Sequence, residues 1–116
     1  LMNNYEHTFI AKTDLTQDSF TKLLDKYSKK IEDHGGEIVK TEKWGIINFS
    51  SKIKQYKKGK YTHIKFKGSG QTIDNLEKSE RMDNAILRFL TVKVKKFDLE
   101  SLYFSEQKKE VNEKKN

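Results

Sequence analysis

Seven lysines, Lys52, Lys54, Lys57, Lys58, Lys60, Lys65 and Lys67, fall in one stretch of chain that contains no Asp or Glu. Tyr56, Tyr61, His63 and Phe66 are interleaved with them. Ammonium groups neutralise phosphates, and aromatic rings stack on unpaired bases. This combination therefore points to contact with nucleic acid. A block of like charge can also be no more than a solvated hairpin. The absence of any offsetting acid favours the nucleic-acid reading.

Other reactive side chains are scattered. His7, His34 and His63 lie in three different segments, with no H-E-x-x-H pattern, so a zinc hydrolase is not indicated. There is no cysteine, which excludes thiol nucleophiles, disulfides and Cys-ligated metal. Gly68-Ser69-Gly70 precedes a helical pattern and could present amides to an anion. It lacks a phosphate-loop motif, however, and reads as a turn. His34, beside Gly35, suits a helix C-terminus. His7 and His63 read as half-exposed histidines of adjacent strands, and Glu77 and Glu80 as solvated carboxylates beside Lys78 and Arg81. No enzyme, cofactor, metal or small-molecule substrate is expected.

The elements that carry these residues must come from a single domain, because the chain has 116 residues. Its net charge of +7 and sequence pI of about 9.5 imply an anionic partner, nucleic acid before membrane. All the basic residues except Arg81 and Arg88 are lysines, so the placement of charge informs more than its total. No apolar run approaches the ~18 residues of a membrane span, and no leader pattern is visible, so a cytoplasmic location without membrane is expected. Residues 1–96 hold 20 basic and 12 acidic side chains, while 97–116 hold four lysines and five acids. The last ten residues, QKKEVNEKKN, offer Val111 alone to a core. We therefore expect a domain over 1–96 and a charged, flexible tail over 97–116.

Within the domain, Tyr5–Lys12 reads as a strand. Asp14 or Thr16 can cap a helix whose apolar residues Phe20, Leu23, Leu24, Tyr27 and Ile31 share one face, and Gly35-Gly36 ends it. Residues 37–51 read as a long strand, with Gly45 marking a bulge or close backbone approach. Lys52–Gly59 reads as a basic connector and Lys60–Lys67 as a third strand, with Ile64 and Phe66 on one face. Thr72 can cap a shorter helix carrying Ile73, Leu76 and Met82, and Ile86–Lys95 completes the set as a strand. The order β-α-β-β-α-β is the ferredoxin-like split βαβ pattern of the α+β class, a four-stranded antiparallel sheet with two helices on one face. Strict alternation along the last strand puts Arg88 on the face of Ile86, Leu90, Val92 and Val94, where it needs a partner, either Asp83 or Glu80 or an RNA phosphate or base.

An RNA-recognition motif has this order too, but Lys58–Phe66 carries Lys60 where its third strand needs an aromatic, so that match fails. The acylphosphatase cradle is also missing. The chain instead resembles the bacterial small-subunit ribosomal protein six family over about residues 2–96. The resemblance rests on four ordered segments. They are Met2–His7 with Tyr5-Glu6, Gly35–Gly45 with Trp44, Ile53-Lys54 followed by Gly59-Lys60-Tyr61, and Asn84–Lys93 with Arg88. Where the family has basic residues and Leu-Ala/Ser-Tyr after Gly45, this chain has Ile46-Ile47-Asn48-Phe49-Ser50-Ser51. The RNA contacts that the resemblance implies at 47, 48 and 51 are therefore not expected of this chain, and the Lys52–Lys60 cluster could compensate. The resemblance implies a non-catalytic protein that binds the central domain of small-subunit rRNA as a heterodimer with ribosomal protein eighteen. The cluster and the resemblance together nominate Tyr5, Lys52, Lys54, Lys57, Lys58, Lys60, Arg81, Arg88 and Lys93 as RNA-binding residues. A free RNA chaperone would use the same lysines. A small ferredoxin-like ligand-binding protein would need a convergent polar pocket, which the sequence does not suggest.

Overall fold

The computed structural model describes residues 2–99. Six elements follow in order: β1 (Asn3–Ala11), α1 (Gln17–Asp33), β2 (Glu37–Ile53), β3 (Tyr56–Gly68), α2 (Gly70–Arg81) and β4 (Ile86–Val94). The sheet order is β2-β3-β1-β4, antiparallel throughout, which is the expected ferredoxin-like topology. Of the tail expected over 97–116, all but Phe97–Leu99 lies outside the described residues.

Local chemistry sets the helix limits. The Thr16 hydroxyl accepts from Ser19 N at 3.1 Å and caps α1. At the other end His34 donates from Nδ1 to the Lys30 carbonyl at 2.9 Å, and Gly36 N donates to the Ile31 carbonyl at 2.8 Å. The cap of α2 is Ser69, not Thr72. Thr72 is the reciprocal partner, since its hydroxyl accepts from Ser69 N at 3.1 Å to close a capping box.

Phe20, Leu23, Leu24, Tyr27 and Ile31 of α1 and Leu76 of α2 pack on Tyr5, Phe9, Ala11, Ile64 and Phe66 of the sheet. Period-two alternation in β1 puts Tyr5, His7, Phe9 and Ala11 under the helices. Glu6, Thr8 and Ile10 therefore face the uncovered side. Met82 does not join the helical face, because it is the C-cap and is 78% exposed.

The basic connector expected over Lys52–Gly59 is not a loop. β2 and β3 form one long hairpin whose two turn residues, Lys54 and Gln55, both have positive φ, 48° and 73°. That is the backbone a tight two-residue hairpin turn demands. β1 stops opposite Lys60, so the hairpin continues beyond it as a two-stranded ribbon. The bulge expected at Gly45 is present, with a register shift between Lys43 and Gly45 and φ of +85°. At Gly59 a Cβ would meet Ile10 Cγ2 and stand 2.6 Å from Phe49 Cζ, so only glycine lets the base of the ribbon lie against β1.

Candidate nucleic-acid interface

Lys52, Lys54, Lys57 and Lys58 are exposed on the projecting ribbon, and none of them has an acidic partner among the described residues. The ribbon is held to the body by other side chains. Tyr56 donates to Asp14 Oδ2 at 3.1 Å, and the Phe49 and Tyr61 rings lie 6.3 Å apart. Lys60 is also part of this attachment. Its ammonium sits 3.9 Å above the Phe20 ring and donates to Gln17 Oε1 at 3.4 Å.

Lys65, nearer the centre of the sheet, is only 6% exposed, and its ammonium lies 2.6 Å from Glu42 and 3.7 Å from Glu6. Burial opposes ionisation of Glu42, but hydrogen bonds from Lys65 and Trp44 outweigh it and hold the carboxyl below its ordinary value. The acid-free stretch thus divides into free cations at the tip, Lys60 at the root, a neutralised Lys65 nearer the centre of the sheet, and an exposed Lys67 at the far end of β3.

The interleaved aromatics divide in the same way. Phe66 is in the core. His63 is 7% exposed, stacks on Trp44 with ring centroids 4.7 Å apart, and contacts Glu6 at 2.8 Å and Thr8 at 2.8 Å. Burial pushes its imidazole below the ordinary value, against the pull of Glu6. Only Tyr56 and Tyr61 remain partly accessible. His7 and His63 do sit on adjacent strands, as expected, but they face opposite sides of the sheet and both are buried, not half-exposed.

Arg88 keeps most of the expected alternation but lies on an exposed face. β4 carries an extra residue where Ile10 pairs with Arg88 but Ala11 pairs with Ile86. Arg88 does share a face with Leu90, Val92 and Val94, opposite Ile10, Thr8, Glu6 and Asn4, but the helices leave that face uncovered. The extra residue moves Ile86 alone to the covered side, so Ile86 and Leu87 are both buried and Arg88 is exposed. Neither expected acid reaches it. Asp83 accepts from Tyr27 at 2.5 Å and from Lys26 at 3.1 Å, and Glu80 is buried against His7. Burial works against the Asp83 carboxylate, yet the hydrogen bonds from Tyr27, Ala85 N and Lys26 hold its pKa below the ordinary value. Arg88 and Tyr61 flank Ile10 on neighbouring strands, at the root of the ribbon. The guanidinium favours the Tyr61 phenolate, although burial of Tyr61 is the larger influence and raises its pKa.

The remaining candidates lie elsewhere. Tyr5 is a core residue, 7% exposed, with its ring 5.7 Å from that of Phe66. Lys93 is paired with Tyr5, at the end of the sheet away from the ribbon. Arg81 is exposed in the last turn of α2, on the helical side. The structure therefore brings together Lys52, Lys54, Lys57, Lys58 and Arg88, with Lys60 at the root, and separates Tyr5, Arg81 and Lys93 from them. Trp44, which the residue types alone did not nominate, covers His63, and its neighbour Gly45 signalled the bulge that puts it there.

The profile of the family described as ribosomal protein S6 matches residues 4–93. This chain belongs to the ribosomal protein S6 family. Small ribosomal subunit protein bS6 of Pelagibacter ubique is 53% identical over 114 residues, 98% of this chain and 93% of that one. The bS6 protein of Parvibaculum lavamentivorans is 34% identical over 96 residues, 83% of this chain and 62% of its own length. The crystal structure of 30S ribosomal protein S6 from Thermotoga maritima superposes with a TM-score of 0.77 at 29% identity, covering 98% of this chain and 99% of that one. Membership in the S6 family makes this chain a structural protein of the small subunit, at home on the cytoplasmic ribosome, and not an enzyme. Among the described residues, no helix is long and apolar enough to cross a membrane, and no cluster of His, Cys, Asp or Glu could hold a metal ion.

Proposed function

We propose that the chain binds the central domain of small-subunit rRNA through the lysines of the β2–β3 ribbon and Arg88, as a heterodimer with ribosomal protein eighteen. Residues 1–96 form the RNA-binding domain in this reading, and 97–116 a charged tail. The observation that carries it is the ribbon itself. Four exposed lysines without acidic partners among the described residues stand on a hairpin that projects past the rest of the sheet, Lys52, Lys57 and Lys58 on its strands and Lys54 in its turn. A two-stranded ribbon with cations on both sides can follow a phosphate backbone, and each phosphate it neutralises releases counterions.

Sucrose-gradient sedimentation tests the reading. The chain is expected to travel with the small subunit in high salt. A reconstituted central-domain rRNA fragment is expected to retain it when ribosomal protein eighteen is present. Release of the chain to the top of the gradient at moderate salt would leave a free RNA chaperone as the better account.

Arg88 gives a finer test. Its planar fork can hold a phosphate or a base edge in two-point contact, which a lysine cannot. Arg88→Lys keeps the charge on an exposed site, so the domain is expected to fold normally and to bind the rRNA fragment several-fold more weakly. A variant that unfolds while its folded fraction keeps full affinity would make Arg88 a structural residue.

A further inference from the structure

The helix-covered side of the sheet hides a chain of four polar groups that the RNA-binding reading does not use. His7 of β1 is fully buried, and its Nε2 lies 2.7 Å from Oε1 of Glu80 in α2, which is 1% exposed. This is an ion-pair distance, and neither atom has an aligned hydrogen-bond partner among the described residues. His7 Nδ1 lies 2.7 Å from the Thr91 hydroxyl of β4, and that hydroxyl lies 2.9 Å from Glu77 Oε2, one turn before Glu80 in α2. Three elements are thus tied together through Glu77, Thr91, His7 and Glu80. Glu80 is not the solvated carboxylate that its charged neighbours in sequence imply, and Glu77 is half-buried. Glu80 points inward because it shares the buried face of α2 with Leu76, and the half-buried Glu77 turns one oxygen to Thr91.

Hydrogen counting decides the protonation of this chain. Three short contacts between electronegative atoms need three hydrogens. The Thr91 hydroxyl supplies one and a neutral imidazole supplies one. Two ionised carboxylates supply none. Whichever way the Thr91 hydroxyl turns, one contact is left with two lone pairs facing each other unless a further proton is present. With His7 and Glu80 fully buried, that repulsion is little screened.

We propose that Glu77, Thr91, His7 and Glu80 form a proton-held latch, in which one extra proton shared along the chain fastens α2 to β1 and β4.

The surroundings favour retention of that proton. Burial raises the Glu80 pKa against the opposing pull of His7, and Glu77 and Asp83 add negative charge nearby. From α1 the facing groups are Tyr27, which stays protonated and donates to Asp83, and Lys26, which is spent on Asp83. From β3 the residue opposite His7 is Ile64, which carries no charge, and β4 adds Lys93 two residues beyond Thr91. His63 faces the other side of the sheet.

The sign of the pH effect follows. At pH 7 to 9 the unfolded chain has ionised glutamates and, above about 6.5, neutral histidine, so it holds no such proton. The native latch holds one. Folding then takes up a proton, and the folding equilibrium constant falls by up to about tenfold per pH unit until the native latch itself deprotonates.

Urea unfolding between pH 7 and pH 9 tests this on three full-length proteins, the wild type, Glu80→Gln, and the double variant His7→Leu with Glu80→Leu. In Glu80→Gln the side-chain amide brings its own hydrogen to His7 Nε2. The double variant removes the pair in favour of apolar side chains, a change cores often accept. Groups outside the latch titrate alike in all three and cancel. The expected result is a wild-type stability that falls with pH relative to both variants, so that the ratio of folding constants, variant to wild type, rises several-fold or more across the window. Equal pH dependence in the wild type and whichever variant folds would overturn the proposal.

Discussion

Changing Lys54, Lys57 and Lys58 together to alanine is expected to remove most of the salt-dependent part of rRNA affinity. For duplex RNA or DNA the logarithm of the binding constant falls with the logarithm of salt by about 0.9 for each phosphate neutralised, somewhat less for single strands. Loss of three such contacts should flatten the slope by about 2.7. The drop in affinity between 50 and 200 mM salt should then be about fortyfold smaller than in the wild type. The fold should not suffer, because all three side chains are exposed and lack partners, and such changes stay within about 0.5 kcal/mol. Net charge alone could also weaken binding. The matched control removes Lys22, Lys29 and Lys78, three exposed lysines on the helical side. If placement governs, the control keeps nearly the full slope. Two variants with equal slopes would show that the ribbon is only one part of a diffuse positive field.

Phe9→Ala is expected to be the most damaging single change in the core. Phe9 is fully buried in the central strand β1, with its ring 5.7 Å from Tyr27 and its cross-strand partners Thr62 and Phe89 on either side. Truncating a buried phenylalanine costs about 3–5 kcal/mol, the lost transfer energy plus the cavity left behind. A domain of this size has about 5–15 kcal/mol in total, so the urea midpoint should fall by about a fifth at the least. Leu90→Ala is the counterpart on the uncovered face. Leu90 is 64% exposed and pairs with Thr8, so its loss should change stability by less than about 0.5 kcal/mol. A large loss at Leu90 in the isolated protein would mean that the uncovered face is not uncovered.

Much of this was legible in the residues. Element order follows from periodicity, since the helical spacing of Phe20 to Ile31 and the alternation at Ile64 and Phe66 each suit one kind of element. Thr16 as a cap, Gly36 as a stop and Gly45 as a bulge are local backbone chemistry, and each is where the residue types require it. The acid-free lysine run is also a property of the sequence, because charge needs no folding to be counted. The family was within reach because its ordered segments survive in the chain even where the basic pair after Gly45 does not.

What only the tertiary structure decided is which polar residues are spent. Lys65 and Lys57 look alike in sequence. Glu6 stands opposite the first on β1 and Glu42 of β2 reaches it diagonally, whereas β1 has ended before the second and no acid of β2 reaches it. Alternation rightly groups Arg88 with Leu90, Val92 and Val94, but only the placement of the helices decides that this apolar face is the uncovered one, and one bulge takes Ile86 to the other side. His7 and Glu80 are 73 positions apart, and no local signal joins them. They meet because α2 crosses β1, and a buried carboxylate reads as a solvated one until the packing partner is known. Local propensity and charge are written residue by residue, whereas desolvation and pairing belong to surfaces that exist only once the chain has closed on itself.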